Sequence, residues 1–193
     1  IEAAVKAGDR QKAGPFDLEF VAVNHSIPDA LAVHVSTPAG TILHTGDWKI
    51  DPTPIIGQPT DERRLRELGD AGVLALVGDS TNAVRDGRSP SETEVAATIK
   101  KLVKAAKGRV AVTTFASNVA RVRAVVDAAN AADREVVVVG RAMERVVQVA
   151  RECGYLDGSH KFRSTDYYGH FPADKVLALC TGSQGEPRAA LAR

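Results

Sequence analysis

The second half of the sequence alternates between short apolar segments and longer amphipathic ones. Apolar segments of strand length are RVAVTTF (109–115), EVVVVG (135–140) and KVLALCTG (175–182). Segments with helical periodicity occupy residues 91–108, 117–132 and 142–154. Because strands that alternate with helices form parallel sheets with right-handed crossovers, this half is predicted to be an α/β layer.

The first half has a different pattern, in which strands follow one another with few helices between them. The predicted strands are LEFVAV (18–23), LAVHVSTP (31–38), TILHTGD (41–47) and VLALVGD (73–79). The last is apolar throughout and is predicted to be buried on both faces. Residues 61–69 are predicted to form a short helix that ends at Gly69, and residues 51–60 an exposed loop. The change of pattern near residue 85 predicts two domains, 1–85 and 86–193.

The composition excludes several classes of protein. Hydrophobic residues make up 44% of the chain and charged residues 25%, as in ordinary globular proteins. No apolar run approaches the ~20 residues that a membrane span requires. The net charge of +1 gives no overall attraction to nucleic acid, so RNA or DNA binding would need a local basic patch. Cys153 and Cys180 lack metal-binding spacing, and both are predicted to be buried thiols in a reducing compartment, the cytoplasm.

Three polar residues follow apolar segments of the first half. His25 lies in NHSIPD, Asp47 in HTGD and Asp79 in VGDSTNA, each where a predicted strand stops. If these strands are neighbours, an imidazole and carboxylates meet at one sheet edge, which is a normal ligand set for zinc or manganese. The alternative is ordinary turn chemistry, since Asp after Gly is common in turns. His34 lies inside a strand and is not expected to be a ligand, whereas His44 could support one indirectly.

Three predicted strands of the second half each run into a small, polar turn before a helix. These turns are TTFASN, GRAME and TGSQGEP. Side by side at the carboxyl edge of a parallel sheet, they would suit a phosphate or a phosphodiester backbone, and Arg121, Arg123 and Arg141 could supply positive charge. The alternative is that they are ordinary loops with helix caps. TGSQGEP exceeds what capping requires, because it combines two glycines with amide and hydroxyl groups before Pro187, a residue typical of helix starts.

Seven motifs follow one another along the chain in a fixed order. They are VNHSIPDA, HTGDWKID, GDSTNA with GRSPSE, TTFASNVAR, GRAME, GYL and TGSQGEP. In this order and at these spacings, the sequence resembles the ribonuclease J family, bacterial nucleases of the metallo-β-lactamase fold with a β-CASP insertion. The resemblance implies part of a metallo-β-lactamase αββα sandwich in residues 1–85. It implies a β-CASP domain with a parallel, Rossmann-like sheet, incomplete at its C-terminus, in residues 86–193.

The resemblance also implies roles for individual residues. His25 matches a loop histidine that binds one of two metal ions, Asp47 the aspartate that bridges both, and Asp79 an acidic residue that opens the β-CASP region; these three would be catalytic. The implied cofactor is a pair of Zn²⁺ ions, with Mn²⁺ or Mg²⁺ as substitutes. Residues implied to contact RNA are Phe115, Ser117, Asn118, Arg141, Ser183 and Gln184.

Relatives of this kind cleave RNA endonucleolytically and also degrade it 5′→3′, favouring single strands with a 5′-monophosphate. The resemblance therefore implies a cytoplasmic hydrolase of rRNA processing and mRNA decay, without a membrane segment. It further implies a homodimer or tetramer and a place in an RNA-degradation complex.

One motif of the family, H-x-H-x-D-H, is missing from this sequence. The chain is therefore expected to be an internal fragment that binds metal weakly and is inactive alone, since ligand number sets metal affinity. Two other interpretations stay open. The first is a non-catalytic α/β module that binds a nucleotide or partner protein through its βα turns. The second is a β-CASP nuclease of mRNA 3′-end processing or DNA repair, against which TGSQGEP argues.

Overall fold

The computed structural model describes residues 4–192 and has the mixed α/β fold that the sequence predicts. The chain forms two compact units, Ile1–Ser91 and Glu92–Arg193, which we call unit 1 and unit 2. The assignment of domains to 1–85 and 86–193 stays a prediction. No helix among residues 4–192 is long and apolar enough to cross a membrane.

Unit 1 is built on one five-stranded sheet. Its elements are β1 (Arg10–Ala13), β2 (Phe16–Ala22), β3 (Leu31–Thr37), β4 (Gly40–His44), α1 (Glu62–Ala71) and β5 (Ala75–Val77). The strands are ordered β1-β2-β3-β4-β5, antiparallel except for the parallel pair β4–β5. Val21, Ala32 and Leu43 from the sheet pack with Leu68 of α1, and the partly buried Trp48 covers this small core.

An ion pair joins α1 to the sheet of unit 1. The Arg64 guanidinium donates to both carboxylate oxygens of Glu19, over 2.6 Å and 2.8 Å. These bonds hold the pKa of the Glu19 carboxyl below its usual value, against the opposing effect of burial. The α1 amino terminus is capped by Asp61, whose side chain accepts from the Arg64 N–H over 2.9 Å.

Several expectations for unit 1 are wrong. β5 is an edge strand, and its side chains Leu76 and Val77 are 66% and 50% exposed, not buried on both faces. An apolar run does not reveal whether other layers cover the two faces of a strand, which explains the error. Helix α1 continues through Gly69 to Ala71. Within the loop 51–60, Asp51 and Thr60 are buried, and hydrogen bonds with neighbouring backbone groups satisfy their side chains.

Unit 2 is the predicted parallel α/β layer. Its elements are α2 (Glu92–Ala105), β6 (Val110–Thr113), α3 (Val119–Ala131), β7 (Glu135–Val139), α4 (Arg141–Glu152) and β8 (Val176–Cys180). The strand order is β6-β8-β7, all parallel, so the completely buried β8 enters between two strands that precede it in sequence. The buried Arg134 donates to the carbonyls of Ala106, Gly108 and Val176, which ties the end of α2 to the sheet.

Two expectations for unit 2 are also wrong. Cys153 is exposed at the end of α4, whereas Cys180 is buried in β8 as predicted. The helix expected after TGSQGEP is not formed by residues 181–192, which make turns and a 3₁₀ helix at Ala190–Ala192. This short segment packs back on the sheet edge, where Leu191 donates its N–H to the Thr181 carbonyl over 3.1 Å.

Candidate functional site

The three polar residues predicted from the first half share one edge of the unit 1 sheet. β2 and β4 run in the same direction because both are antiparallel to β3, and β5 is parallel to β4. Their carboxyl ends therefore lie at the same edge. His25, Asp47 and Asp79 each follow one of these strands within three residues. The sequence pattern thus identified three loops that the fold brings to one edge.

Backbone hydrogen bonds hold the His25 and Asp47 loops side by side. Asn24 and Lys49 form an isolated antiparallel bridge, in which the Lys49 N–H donates to the Asn24 carbonyl over 2.8 Å. The half-buried His25 ring has its Nδ1 3.2 Å from the Ser26 hydroxyl. Asp47 is exposed and follows Gly46, whose φ of 61° turns the chain sharply after the strand.

Asp79 is held against the Asp47 loop. The buried Thr45 hydroxyl accepts from the Asp79 N–H over 3.2 Å, and the Thr45 N–H donates to the Val77 carbonyl over 3.0 Å. The Asp79 carboxylate accepts from the Thr81 hydroxyl and N–H, over 2.5 Å and 2.9 Å, and also from the Trp48 N–H. These hydrogen bonds, led by the one from the Thr81 hydroxyl, hold the pKa of Asp79 below its usual value, and the nearby His25 ring adds to the effect.

The other two histidines of unit 1 have local structural contacts. The exposed His44 accepts from the Gly46 N–H through Nδ1 over 3.0 Å, so it shapes the turn that carries Asp47. His34 lies in β3 opposite Glu19, and burial lowers the pKa of its imidazole. The expectation that neither is a direct ligand stays a prediction.

The chemistry of this edge suits a divalent cation, but the number of ligands is small. One imidazole and two carboxylates are donors that zinc and manganese accept. Within the part of the chain that the structure describes, however, no group of three or more His, Cys, Asp or Glu side chains is arranged to hold one ion. The donors at this edge therefore fit a cation as partial ligands and do not form a complete site by themselves.

The three turns predicted in the second half also lie at one edge, because the unit 2 strands are all parallel. The turn after β6 is joined to β8 by a hydrogen bond from the Thr114 N–H to the Cys180 carbonyl, 3.0 Å long. Helix α4 begins at Arg141 directly after Gly140, and no side chain caps it. The exposed side chains at this edge are Phe115, Ser117, Arg141, Ser183 and Gln184.

Asn118, a predicted RNA contact, and Arg121, a predicted source of positive charge, have other partners. Asn118 is buried, and its Oδ1 caps α3 by accepting from the Arg121 N–H over 3.0 Å. The guanidinium of Arg121 binds both carboxylate oxygens of Glu92, each over 3.2 Å. For this turn the capping interpretation describes Asn118 correctly, and Arg121 has its charge matched within unit 2.

The charge of the chain is divided unequally between the two units, which the net charge of +1 conceals. Residues 92–193 contain 16 Lys and Arg against 11 Asp and Glu, whereas residues 1–91 contain 9 against 13. Unit 2 thus carries a formal charge of +5 and unit 1 of −4. A charge count taken separately for each half would have found this signal.

Comparison with known proteins identifies relatives of the whole chain. Residues 107–193 match the sequence family described as "Ribonuclease J, beta-CASP domain". A ribonuclease J from Sinorhizobium meliloti is 55% identical over 188 residues, which are 97% of this chain and 33% of that protein. A ribonuclease J from Thermus thermophilus is 42% identical over 190 residues, 98% of this chain and 33% of that protein. The chain thus spans about a third of the length of these curated relatives.

A solved structure shares the fold. The crystal structure of a protein of unknown function from Enterococcus faecalis matches with a TM-score of 0.64 and 17% identity, over 94% of this chain and 45% of that one. At this identity, the match supports the fold alone.

The hydrogen bonds to Asp79 predict a measurable change of its pKa. Thr81→Val removes the hydroxyl bond and should raise the Asp79 pKa towards the usual value of ~3.9, whereas Thr81→Ser should leave it low. Because its pKa is lower in the folded state, ionised Asp79 stabilises the fold at pH values above the unfolded-state pKa. This contribution is lost as the pH falls through the folded-state pKa. NMR titration of the carboxyl carbon measures the change, and equal pKa values in Thr81→Val and wild type would contradict this assignment.

Proposed function

We propose that this chain, which belongs to the ribonuclease J family, functions in a metal-dependent ribonuclease. The relationship supports a nuclease role, and the finer features that follow are proposals. The observation that carries them is the convergence of the His25, Asp47 and Asp79 loops at one edge of the unit 1 sheet.

In this proposal, His25 and Asp47 are metal ligands, and further ligands come from parts of the protein outside this chain. The cofactor is a pair of Zn²⁺ ions, with Mn²⁺ or Mg²⁺ as alternatives, and when bound it supplies Lewis acidity and lowers the pKa of a water nucleophile. The exposed Asp47 carboxylate would hold the cations together with His25. Asp79, held ionised by Thr81 and Trp48, contributes negative charge beside them.

The negative charge of unit 1 and the positive charge of unit 2 favour ligands of opposite charge. A formal charge of −4 favours cations at the His25 and Asp47 edge, and a charge of +5 favours the phosphates of RNA. Phe115 is 47% exposed and can stack on a base, while Arg141 at the uncapped start of α4 can bind a phosphate. Ser117, Ser183 and Gln184 add hydrogen-bonding groups at the same edge.

The proposed substrate is single-stranded RNA with a 5′-monophosphate, cleaved internally and from the 5′ end during rRNA processing and mRNA decay. The intact enzyme would work in the cytoplasm as a homodimer or tetramer, in contact with other RNA-degrading proteins. Residues 1–193 alone would be inactive and would bind zinc weakly, because His25 and Asp47 cannot by themselves hold an ion in a defined geometry.

The first test concerns Asp47 in the full-length protein. Asp47→Ala should reduce cleavage of a 5′-monophosphorylated RNA by more than ~100-fold. Losing only an outer partner of a metal ligand can already cost ~100-fold, and Asp47 is proposed as a ligand itself. RNA affinity should change little, because the binding groups lie in unit 2. Asp70→Ala, which removes an exposed carboxylate on α1, is the matched control. Full cleavage by Asp47→Ala would remove Asp47 from the mechanism.

The second test concerns the RNA contacts of unit 2. Arg141→Ala should weaken RNA binding and reduce the slope of log affinity against log salt by ~0.7, the value for one lost phosphate contact on a single strand. Lys161→Ala is the control, because Lys161 is exposed and lines a cavity with Glu135 and Lys175 at the amino-terminal edge of the same sheet. Filter binding at several salt concentrations measures both. Equal slopes for Arg141→Ala and wild type would exclude Arg141 as a phosphate contact.

A further inference from the structure

Thr60 forms a bridge between the two loops that carry His25 and Asp47. It lies two residues before α1, and only 7% of its surface is exposed. Its hydroxyl accepts from the Asn24 N–H over 3.0 Å and donates to the Lys49 carbonyl over 2.8 Å. A single buried side chain therefore binds the backbone one residue from His25 and the backbone two residues from Asp47.

The Thr60 hydroxyl completes a closed set of hydrogen bonds. Lys49 donates its N–H to the Asn24 carbonyl, so with Thr60 both backbone groups of Asn24 and both of Lys49 are paired. The Asn24 side chain adds little, since Nδ2 lies 3.4 Å from the Gln58 carbonyl and the buried Oδ1 has no partner among residues 4–192. The spacing of the two loops therefore depends on the hydroxyl of Thr60 together with the direct backbone bond from Lys49 to Asn24.

We propose that Thr60 is a positioning residue that sets the distance between His25 and Asp47 for metal binding. The inference rests on the function proposed above. A hydroxyl is needed because one atom must both accept from an N–H and donate to a carbonyl, which an apolar side chain of the same shape cannot do. Thr60 touches neither His25 nor Asp47 through its hydroxyl, so its effect passes through the backbone. Metal affinity depends on such preorganisation of the ligands.

The test compares variants of the full-length protein in their affinity for zinc, measured by competition with a chromophoric chelator. Thr60→Val should weaken zinc binding by ~10–100-fold, as loss of a supporting partner does, and Thr60→Ser should remain close to wild type. Thr41→Val is the matched control: Thr41 donates its hydroxyl to the Gly72 carbonyl over 2.8 Å, but it lies in the first half of β4, away from the candidate edge. Zinc affinity of Thr41→Val should equal that of wild type.

Thermal unfolding of the metal-free variants separates positioning from general destabilisation. Zinc affinity is compared at a temperature at which each variant is folded. A weaker affinity of Thr60→Val then reflects a changed position of the metal ligands and not unfolding. If Thr60→Val does not fold, Thr60→Ala replaces it, because alanine removes the hydroxyl without placing a methyl group against the two backbone polar groups. Its zinc affinity should then lie between those of Thr60→Ser and Asp47→Ala.

The outcomes distinguish this inference from the proposed function. If Asp47→Ala weakens zinc binding while folded Thr60→Val, or Thr60→Ala in its place, binds as wild type does, the positioning role is overturned. The positioning role is also overturned if Thr41→Val weakens zinc binding as much as Thr60→Val does. If wild type and Asp47→Ala bind zinc equally, the metal assignment in the proposed function fails instead.

Discussion

The direction of the strands is the constraint on which both candidate sites depend. In unit 1, β2, β4 and β5 point the same way although β3 between them is reversed, so their following loops meet at one edge. In unit 2, all three strands are parallel, and the turns after them meet in the same manner. Each unit thereby collects polar residues that are far apart in sequence, and the carboxyl ends of strands are where such sheets bind ligands.

Much of this arrangement could be predicted from the sequence. The α/β layer of unit 2 was predictable because its strands are continuous apolar runs and its helices have clear periodicity and boundaries. His25, Asp47 and Asp79 were recognised because each follows an apolar run. The exposure of β5 was not predictable, since an apolar pattern is the same for an edge strand and a central one. Thr60 was missed because its partners are 36 and 11 residues away and leave no local pattern.

Among the residues considered for RNA binding, the structure separates those with structural partners from those that are exposed. Asn118 caps α3 and Arg121 pairs with Glu92, so both are engaged within unit 2. Phe115 and Arg141 are exposed, and they lie on unit 2, which carries the positive charge. Long-range attraction by this unit and phosphate contacts at its turns would both weaken with salt.

The central claim is that His25 and Asp47 act on the same metal centre, and a double-mutant cycle tests it most directly. Zinc affinity of the full-length protein is measured for wild type, His25→Ala, Asp47→Ala and the double variant. The account predicts that both single variants lose affinity and that the double variant loses much less than the sum, with a coupling of at least ~0.5 kcal/mol. Strictly additive losses, or unchanged affinity in either single variant, would contradict a shared centre.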